Sequence, residues 1–540
     1  MARHSNLLLC VLLCGLVAVL FITGAPQGNS FSWPDSPRHA LNGAFIFDLL
    51  KDLPFNDPKG WAYDYYGQYP AVTILFYPPL YPATLAPFYA IFGVSQETAL
   101  LVNFLFYCAF VSGVYALARR YFSAGVSFGV ALIMASAPEV TYWGRQIMTE
   151  IPAFAPLVWS AWALLRHLDN GRKWSLFLSA FLLVAAMYIK ISICFVAPVY
   201  ALVLLRRHGV ALVRMHEYWI TAIGALMLLG PLIFLTLNFG QANAQSVTGV
   251  ADSVASRGTF EGWIWYARQF PDQLGWPALA LALLAVIAWF RRGRRDAALS
   301  DGGSAFWLFG LWLVIGYLFF SAIDLKEARH SIFLLLPLAL AAGYAATTLV
   351  RDTRVQAALM IITGLATLGI TLTQRPVHYV AGYDEAVAWI ADNAPQDSNI
   401  LFSGYRDGAF IYGMRALADR PDLNTIRADK LLLTIAVRRE LGVKQTSYSN
   451  AEIADLISDN SVSYVVAQPD FWTDLDQMAR LQTVLRSPGF EEVHRVAMQA
   501  NYNAQESELV IYRNLAPLPA KRKPMTIELP IIDRQIETAG

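Results

Sequence analysis

The chain has 540 residues, of which 56% are hydrophobic and only 15% charged, and its mean hydropathy is +0.41. Soluble domains carry roughly 25% charged residues, so this composition belongs to a protein living largely in a bilayer. A net charge of +1 supplies no field for nucleic acid, and the four cysteines all fall inside apolar runs, as small buried hydrophobes do, which argues against a disulfide framework or a thiolate zinc site.

Arg3 and His4 precede an apolar run from Leu7 to Ile22. A signal peptide starts this way, but Pro26 stands badly for cleavage after Gly24 or Ala25, so the run reads as an uncleaved first span. Apolar segments follow at 78–94, 97–118, 123–138, 151–168, 174–189, 190–206, 217–238, 276–290, 304–323, 331–350 and 355–373. Each crossing takes about 20 apolar residues.

Topology follows from the basic clusters: Arg119-Arg120, Arg166 with Arg172-Lys173, Arg206-Arg207 with Arg214, Arg291-Arg292 with Arg294-Arg295, and Arg351 with Arg354. Positive loops stay cytoplasmic, and all of these share one side only if 78–94 does not cross. Pro78, Pro79, Pro82 and Pro87 point the same way, because proline breaks or kinks a helix interior. The expected fold class is therefore an α-helical polytopic membrane protein with about eleven spans, twelve or thirteen being the alternative, followed by a soluble α/β domain. Residues 1–375 form the expected membrane domain, with 25–77 as the first extracytoplasmic loop and 78–94 as a juxtamembrane or re-entrant helix. Loops 139–150, 239–275 and 324–330 then lie on that same outer side.

After 375 the pattern turns polar and turn-rich. Helical periodicity is expected at Asp384–Asp392, Lys430–Leu441 and Glu452–Ser458, and strands at Asn399–Ser403, Val462–Ala467, Glu491–Val496 and Glu508–Tyr512. Residues 376–520 make an extracytoplasmic α/β domain, and 521–540 a disordered or loosely docked tail. Gly404-Tyr-Arg-Asp-Gly408 follows a strand but is too little to define a nucleotide site.

Candidate chemistry collects in the outer loops. Asp35, Arg38 and His39 lie just past the first span. A carboxylate beside an apolar surface is partly desolvated, which raises its proton affinity and suits it to general-base work. Arg145 and Glu150 precede the span at 151–168; Thr149 suits a helix cap there, and a plain helix-start carboxylate is the blander account of Glu150. Lys190 interrupts an apolar stretch, which marks either a functional site or a snorkelling cation. Asp324-Leu-Lys326-Glu327-Ala-Arg329-His330 is a dense charge cluster between two spans, either interfacial or a phosphate clamp. No metal-ligand set stands out, and a divalent cation stays open as a cofactor.

Six pieces in order carry a resemblance: Asp35-Ser-Pro-Arg38-His39, Tyr77-Pro-Pro-Leu-Tyr81, Leu117-Ala-Arg-Arg-Tyr-Phe122, Gly144-Arg145-Gln-Ile-Met-Thr149-Glu150-Ile-Pro152, Lys190, and Lys326-Glu327-Ala-Arg329-His330. Across residues 5–350 the chain resembles the GT-C-type membrane glycosyltransferases, in particular the lipid A aminoarabinose and galacturonic acid transferases and the protein O-mannosyltransferases. The resemblance implies a sugar donor on a polyprenyl phosphate and transfer on the extracytoplasmic face of the cell (inner) membrane. The acceptor would be a lipid, glycan or protein. It implies that Asp35 and Glu150 are the catalytic acids, with Asp35 as general base and Arg145 beside Glu150. Lys326 and Arg329 would hold the leaving phosphate, and Arg38, His39 and Lys190 would complete substrate binding. Ser36, His39, Tyr77 and His330 depart from the usual pattern. A lipid-linked-sugar flippase and a membrane scaffold protein are the alternatives. A transporter would show paired repeats and broken helices at the midplane, and a scaffold needs no acids in two separate loops.

Overall fold

The structure is a computed structural model; it describes residues 2–248, 255–296, 303–418, 420–435, 439, 442–517, 526–529 and 534–537. Helix α1 (Ala2–Gly24) is the first apolar rod. The segment 25–77, expected as a loop, instead folds into α2 (Asp35–Asp52) and α3 (Pro58–Gln68). Asp57 caps α3 by accepting from the Gly60 amide at 2.8 Å, and Pro58 opens its first turn. Next comes α4 (Leu80–Phe92), with Pro87 inside it. Thirteen residues reach only about 20 Å, short of a bilayer core of about 30 Å. It packs instead on α2 and on α5 (Gln96–Ala118).

Helix α6 (Ala124–Ser136) and helix α7 (Pro138–Gly144) follow, bent by 61° at Ala137. A proline at the start of the second piece sets the break. Helix α8 (Glu150–Asn170) then begins at Glu150 itself. Close crossing fills the bundle centre: a Cβ at Gly129 of α6 would sit 2.4 Å from that of Met360, so the helix Thr353–Gln374 lies tight against α6.

Among the described residues, seven helices are long and apolar enough to cross a membrane, or eight if the bent pair counts as one span. Leu80–Phe92, Lys173–Ile189 and Trp276–Phe290 are shorter apolar helices. The chain is thus an integral membrane protein. The segment 190–206, expected as one apolar span, starts with a 3-10 turn at Ile191–Phe195 after a break at Lys190. The four cysteines are free and half-buried rather than fully buried, on helices whose outer faces suit lipid.

The C-terminal part is α/β. Strands Asn424–Arg427, Asn399–Ser403, Val462–Ala467, Glu508–Asn514 and Phe490–Ala497 lie side by side in that order. The first three are parallel, with Leu401 between Ile426 and Val465; the last two run antiparallel. All four expected strands form: Asn399–Ser403 and Val462–Ala467 with the expected bounds, and Phe490–Ala497 and Glu508–Asn514 a residue or two longer than expected. The expected helix Lys430–Leu441 does not form as such: a turn of helix ends at Leu432, strand Leu433–Ile435 follows, and most of 436–441 lies outside the described residues. Of the tail, Thr526–Leu529 and Arg534–Glu537 pair as a hairpin, and the rest lies outside the described residues.

The pleat splits the domain's core in two. Leu401 faces a core of its own with Ile453, Val465 and Leu481. Ile400 and Phe402 face Val387, Ala409 and Phe410, in an apolar core continuous with Phe31 and Leu41 of the membrane domain. The helix Asp407–Ala416 is therefore packed directly on the helix that carries Asp35, and Tyr383–Asn393 packs on Asp407–Ala416.

Candidate active site

Asp35 is the first residue of α2, where the helix dipole favours an acid and no side chain caps the turn. Its Oδ2 accepts from Trp33 Nε1 at 3.2 Å and from Arg329 Nη1 at 3.2 Å. Glu150 opens α8 and is fully buried. Its Oε1 accepts from Lys190 Nζ at 2.8 Å and lies 4.0 Å from Arg329 Nε, while its Oε2 has no hydrogen-bond partner. One guanidinium thus bridges two carboxylates from the first and second acidic segments, and also bonds Glu327. The rings of Trp33 and Trp143 lie against that guanidinium at 5.0 and 5.5 Å.

His39 is one turn along α2 from Asp35 and fully buried. Its ring packs 4.5 Å from that of Tyr77 and 5.8 Å from that of Tyr81, and its Nδ1 has no partner. Ser36 Oγ is likewise buried and unpartnered. Two unsatisfied polar atoms beside one ion-pair cluster, Glu150 Oε2 and His39 Nδ1, suit a polar ligand, because a buried donor or acceptor left unpaired costs about 1–3 kcal/mol.

The electrostatics correct one expectation. Burial alone would raise the proton affinity of Asp35. The Arg329 guanidinium outweighs it, with His39, Tyr77 and Arg38 adding to the effect, and holds the carboxyl well below the usual carboxylate range. Burial drives the His39 ring down to about 4, against the pull of Asp35 and Glu150, so the ring is neutral near pH 7. Burial and then the Asp35 carboxylate push the Tyr77 phenol far up, so it stays protonated beside that carboxylate.

The structure gathers Asp35, Glu150, His39, Lys190 and Arg329 and sets three other expected residues apart. Lys326 Nζ donates to the carbonyls of Ser321 at 2.6 Å and of Phe320 and Ile323, closing the end of the helix Ser304–Ser321. The backbone at Glu327 is extended, so neighbouring side chains turn to opposite sides and Lys326 is carried away from Arg329. Arg145 donates to the Thr141 and Arg375 carbonyls rather than meeting Glu150; Lys190 is the cation on Glu150. Arg38 pairs with Asp407 of the α/β domain. Among the described residues, no group of three or more His, Cys, Asp or Glu side chains is arranged to hold a metal ion.

Trp33, Tyr77, Trp143 and Glu327 join the site without having been singled out from sequence as site residues. Tryptophans near a membrane surface usually read as interfacial anchors, and only the position of Arg329 gives these two another role.

Residues 77–234 match the family model described as dolichyl-phosphate-mannose-protein mannosyltransferase. A search of curated proteins returned no match. Among solved structures, the chain is similar to ArnT from Cupriavidus metallidurans in the apo state, at 14% identity and a TM-score of 0.63, over 96% of this chain and 100% of that one. ArnT bound to undecaprenyl phosphate aligns at 14% identity and a TM-score of 0.59, over 95% of this chain and 99% of that one. The archaeal oligosaccharyltransferase AglB from Archaeoglobus fulgidus, in complex with an inhibitory peptide and a dolichol-phosphate, aligns at 12% identity and a TM-score of 0.54, over 93% of this chain and 75% of that one. The chain has the GT-C-type fold of these membrane glycosyltransferases.

Proposed function

We propose that the protein transfers a sugar from a polyprenyl-phosphate donor to a hydroxyl of a lipid, glycan or protein acceptor, at the extracytoplasmic face of the cell membrane. The observation that carries this reading is the Arg329 bridge between Asp35 at 3.2 Å and Glu150 at 4.0 Å. An arginine fork is matched to a phosphate, and this one is held at the junction of two carboxylates by aromatic rings. The match of residues 77–234 and the fold shared with a protein crystallised with undecaprenyl phosphate support the same class of donor.

The chemistry is a single displacement. The acceptor oxygen attacks the anomeric carbon as Asp35 takes its proton, and the bond to the phosphate oxygen breaks with its electron pair. Polyprenyl phosphate leaves with one more negative charge, which Arg329 stabilises. The anomeric centre is inverted, and no general acid is needed because phosphate is already a good leaving group.

Arg329 also couples the two events. Without donor its N–H groups sit on Asp35 and suppress that group's basicity. An arriving phosphate competes for those N–H groups, and Asp35 recovers proton affinity only as the donor seats. Free enzyme is thereby a poor base toward water. Glu150, held by Lys190, has Oε2 available for a sugar hydroxyl, and the neutral His39 ring stands beside the same cluster.

The test is mass analysis of membrane lipids and envelope glycans from a deletion strain complemented with the wild type or with Asp35→Asn. The expected result is one glycosylated species present only with the wild type. Its persistence with Asp35→Asn would overturn the base assignment, and an unchanged profile on deletion would overturn the transferase reading. A reporter fused after residue 378 reads extracytoplasmic on this topology.

A further inference from the structure

We propose that Arg406 and Asp407 of the α/β domain are positioning residues of the transfer reaction, holding the Ser32–His39 stretch and with it Asp35. The reactive part of this inference rests on the function proposed above; the mechanical part does not.

In open α/β sheets, ligands are taken up beyond the carboxyl ends of parallel strands. Here that place follows strand Asn399–Ser403, in the Gly404–Gly408 turn at the start of the helix Asp407–Ala416. The chain's own first outer segment fills it. Arg406 donates to the Ser32 carbonyl and is itself fixed by Glu506 at 2.7 Å and by the Tyr502 hydroxyl. Asp407 accepts two hydrogen bonds from Arg38, at 2.8 and 2.9 Å, and pairs with Arg427 at 2.8 Å. Arg427 in turn holds Asp429 at 2.7 Å. The Arg38, Asp407 and Arg427 side chains are 18%, 12% and 16% exposed, so the bridge is largely shielded from water.

Packing seats the same helix on the first turn of α2. A Cβ at Gly408 would stand 3.1 Å from Pro37 Cγ, so a larger residue would press Pro37 back by a few tenths of an ångström. Farther along, Arg415 clamps Asp48 with two bonds at 2.7 and 2.6 Å. Helix α2 is therefore gripped near both ends from another domain, with Asp35 ahead of Arg38 in the first turn. That turn has no side-chain cap of its own. Apart from the Trp33 bond, what holds this turn is thus remote in sequence, and a displacement of about 1 Å at a reacting group can cost roughly a hundredfold in rate.

The experiment uses the full-length protein in nanodiscs, with Asp407→Ala, Asp407→Asn, Asp407→Glu and Arg406→Ala. Hydrogen exchange is followed in peptides covering 30–41 and, as a control, 462–467. Undecaprenyl phosphate binding is the ligand probe, and formation of the wild-type product in complemented cells is the activity readout. In Asp407→Ala, exchange over 30–41 is expected to rise by about tenfold or more, the control strand keeps its protection, undecaprenyl phosphate affinity stays within about twofold, and product falls by roughly a hundredfold. Asp407→Glu restores most of both. Arg406→Ala and Asp407→Asn give intermediate values and stand in if Asp407→Ala fails to fold. Unchanged exchange over 30–41 overturns the clamp. Loosened exchange with full product overturns the positioning role, as does a loss of lipid-phosphate affinity that accounts for the lost product. If wild type makes no product, the transferase reading fails, and the exchange arm still decides the clamp.

Discussion

Arg329 Nη1 lies 3.2 Å from Asp35 Oδ2, across 294 residues of chain. The same guanidinium reaches Glu150 and Glu327. It is shared among three carboxylates, so its removal leaves more than one charge uncompensated.

The first prediction concerns that shared group. Arg329→Lys keeps a positive charge but loses the planar fork. Undecaprenyl phosphate affinity is expected to fall by roughly tenfold to a hundredfold, the worth of one or two charge-assisted hydrogen bonds. Asp35→Asn should instead keep or raise that affinity, because the carboxylate competing for the Arg329 fork is gone, and lower turnover by roughly 10²–10⁴, the usual contribution of a positioned base. Binding by calorimetry alongside product analysis separates the two.

The second prediction separates Lys326 from Arg329. Lys326 satisfies carbonyls at the end of a helix. Lys326→Met should cost about 1–3 kcal/mol of stability, seen as a lower melting temperature, because those carbonyls lose a donor. Turnover per folded molecule should change by less than about threefold if Lys326 acts only there. A collapse of undecaprenyl phosphate affinity in this variant would return Lys326 to the phosphate clamp that the sequence motif suggests.

How much of this could be read from the chain alone depends on range. Strands Asn399–Ser403 and Val462–Ala467 are legible because buried parallel strands are short, continuous apolar runs. Asp35 and Glu150 stand out because each is an acid next to a long apolar run. Helix α2 is not legible as such: Asp35–Asp52 mixes charges with apolar residues on a surface that faces both α4 and the α/β domain, so no clean amphipathic period marks it. Lys326 and Arg329 are three apart and look alike in sequence, and only the extended backbone at Glu327 sends them to different places. The Arg38–Asp407 pair spans 369 residues, and no local pattern announces it.

The third prediction is a pH dependence. The buried His39 ring has its pKa lowered from 6.5 to about 4. The unfolded chain therefore binds the proton more readily than the folded protein, and stability present above about pH 6.5 is lost progressively as pH falls toward 4, by roughly 3 kcal/mol in all. Asp35 and Asp407 have lowered pKa values and act in a more acidic window, below about pH 4. His39→Gln should therefore flatten the melting temperature between pH 6.5 and 4 and leave the loss below pH 4. An unchanged slope between pH 6.5 and 4 in the variant would show that the His39 ring is not what the acid-sensitive fold excludes from protonation.

The fourth prediction concerns the buried pair of Glu150 and Lys190. Glu150 is fully buried and Lys190 Nζ lies 2.8 Å away; the next cation, Arg329, stands at 4.0 Å. Removing one member of a buried pair costs about 3–5 kcal/mol, because the other charge is left in a low dielectric. Lys190→Met should therefore destabilise the protein by that much. Glu150→Gln should cost less, since the amide is neutral and Lys190, 16% exposed, can reach water. The double variant Glu150→Gln with Lys190→Met should be more stable than Lys190→Met alone, which a double-mutant cycle in melting temperature would read as a coupling of about 2 kcal/mol or more. Additive losses would mean that Arg329 alone carries the Glu150 charge and that Lys190 is dispensable to it. Activity should not follow this recovery: the double variant lacks the Glu150 carboxylate, whose Oε2 has no hydrogen-bond partner, so it should fold well and still transfer poorly.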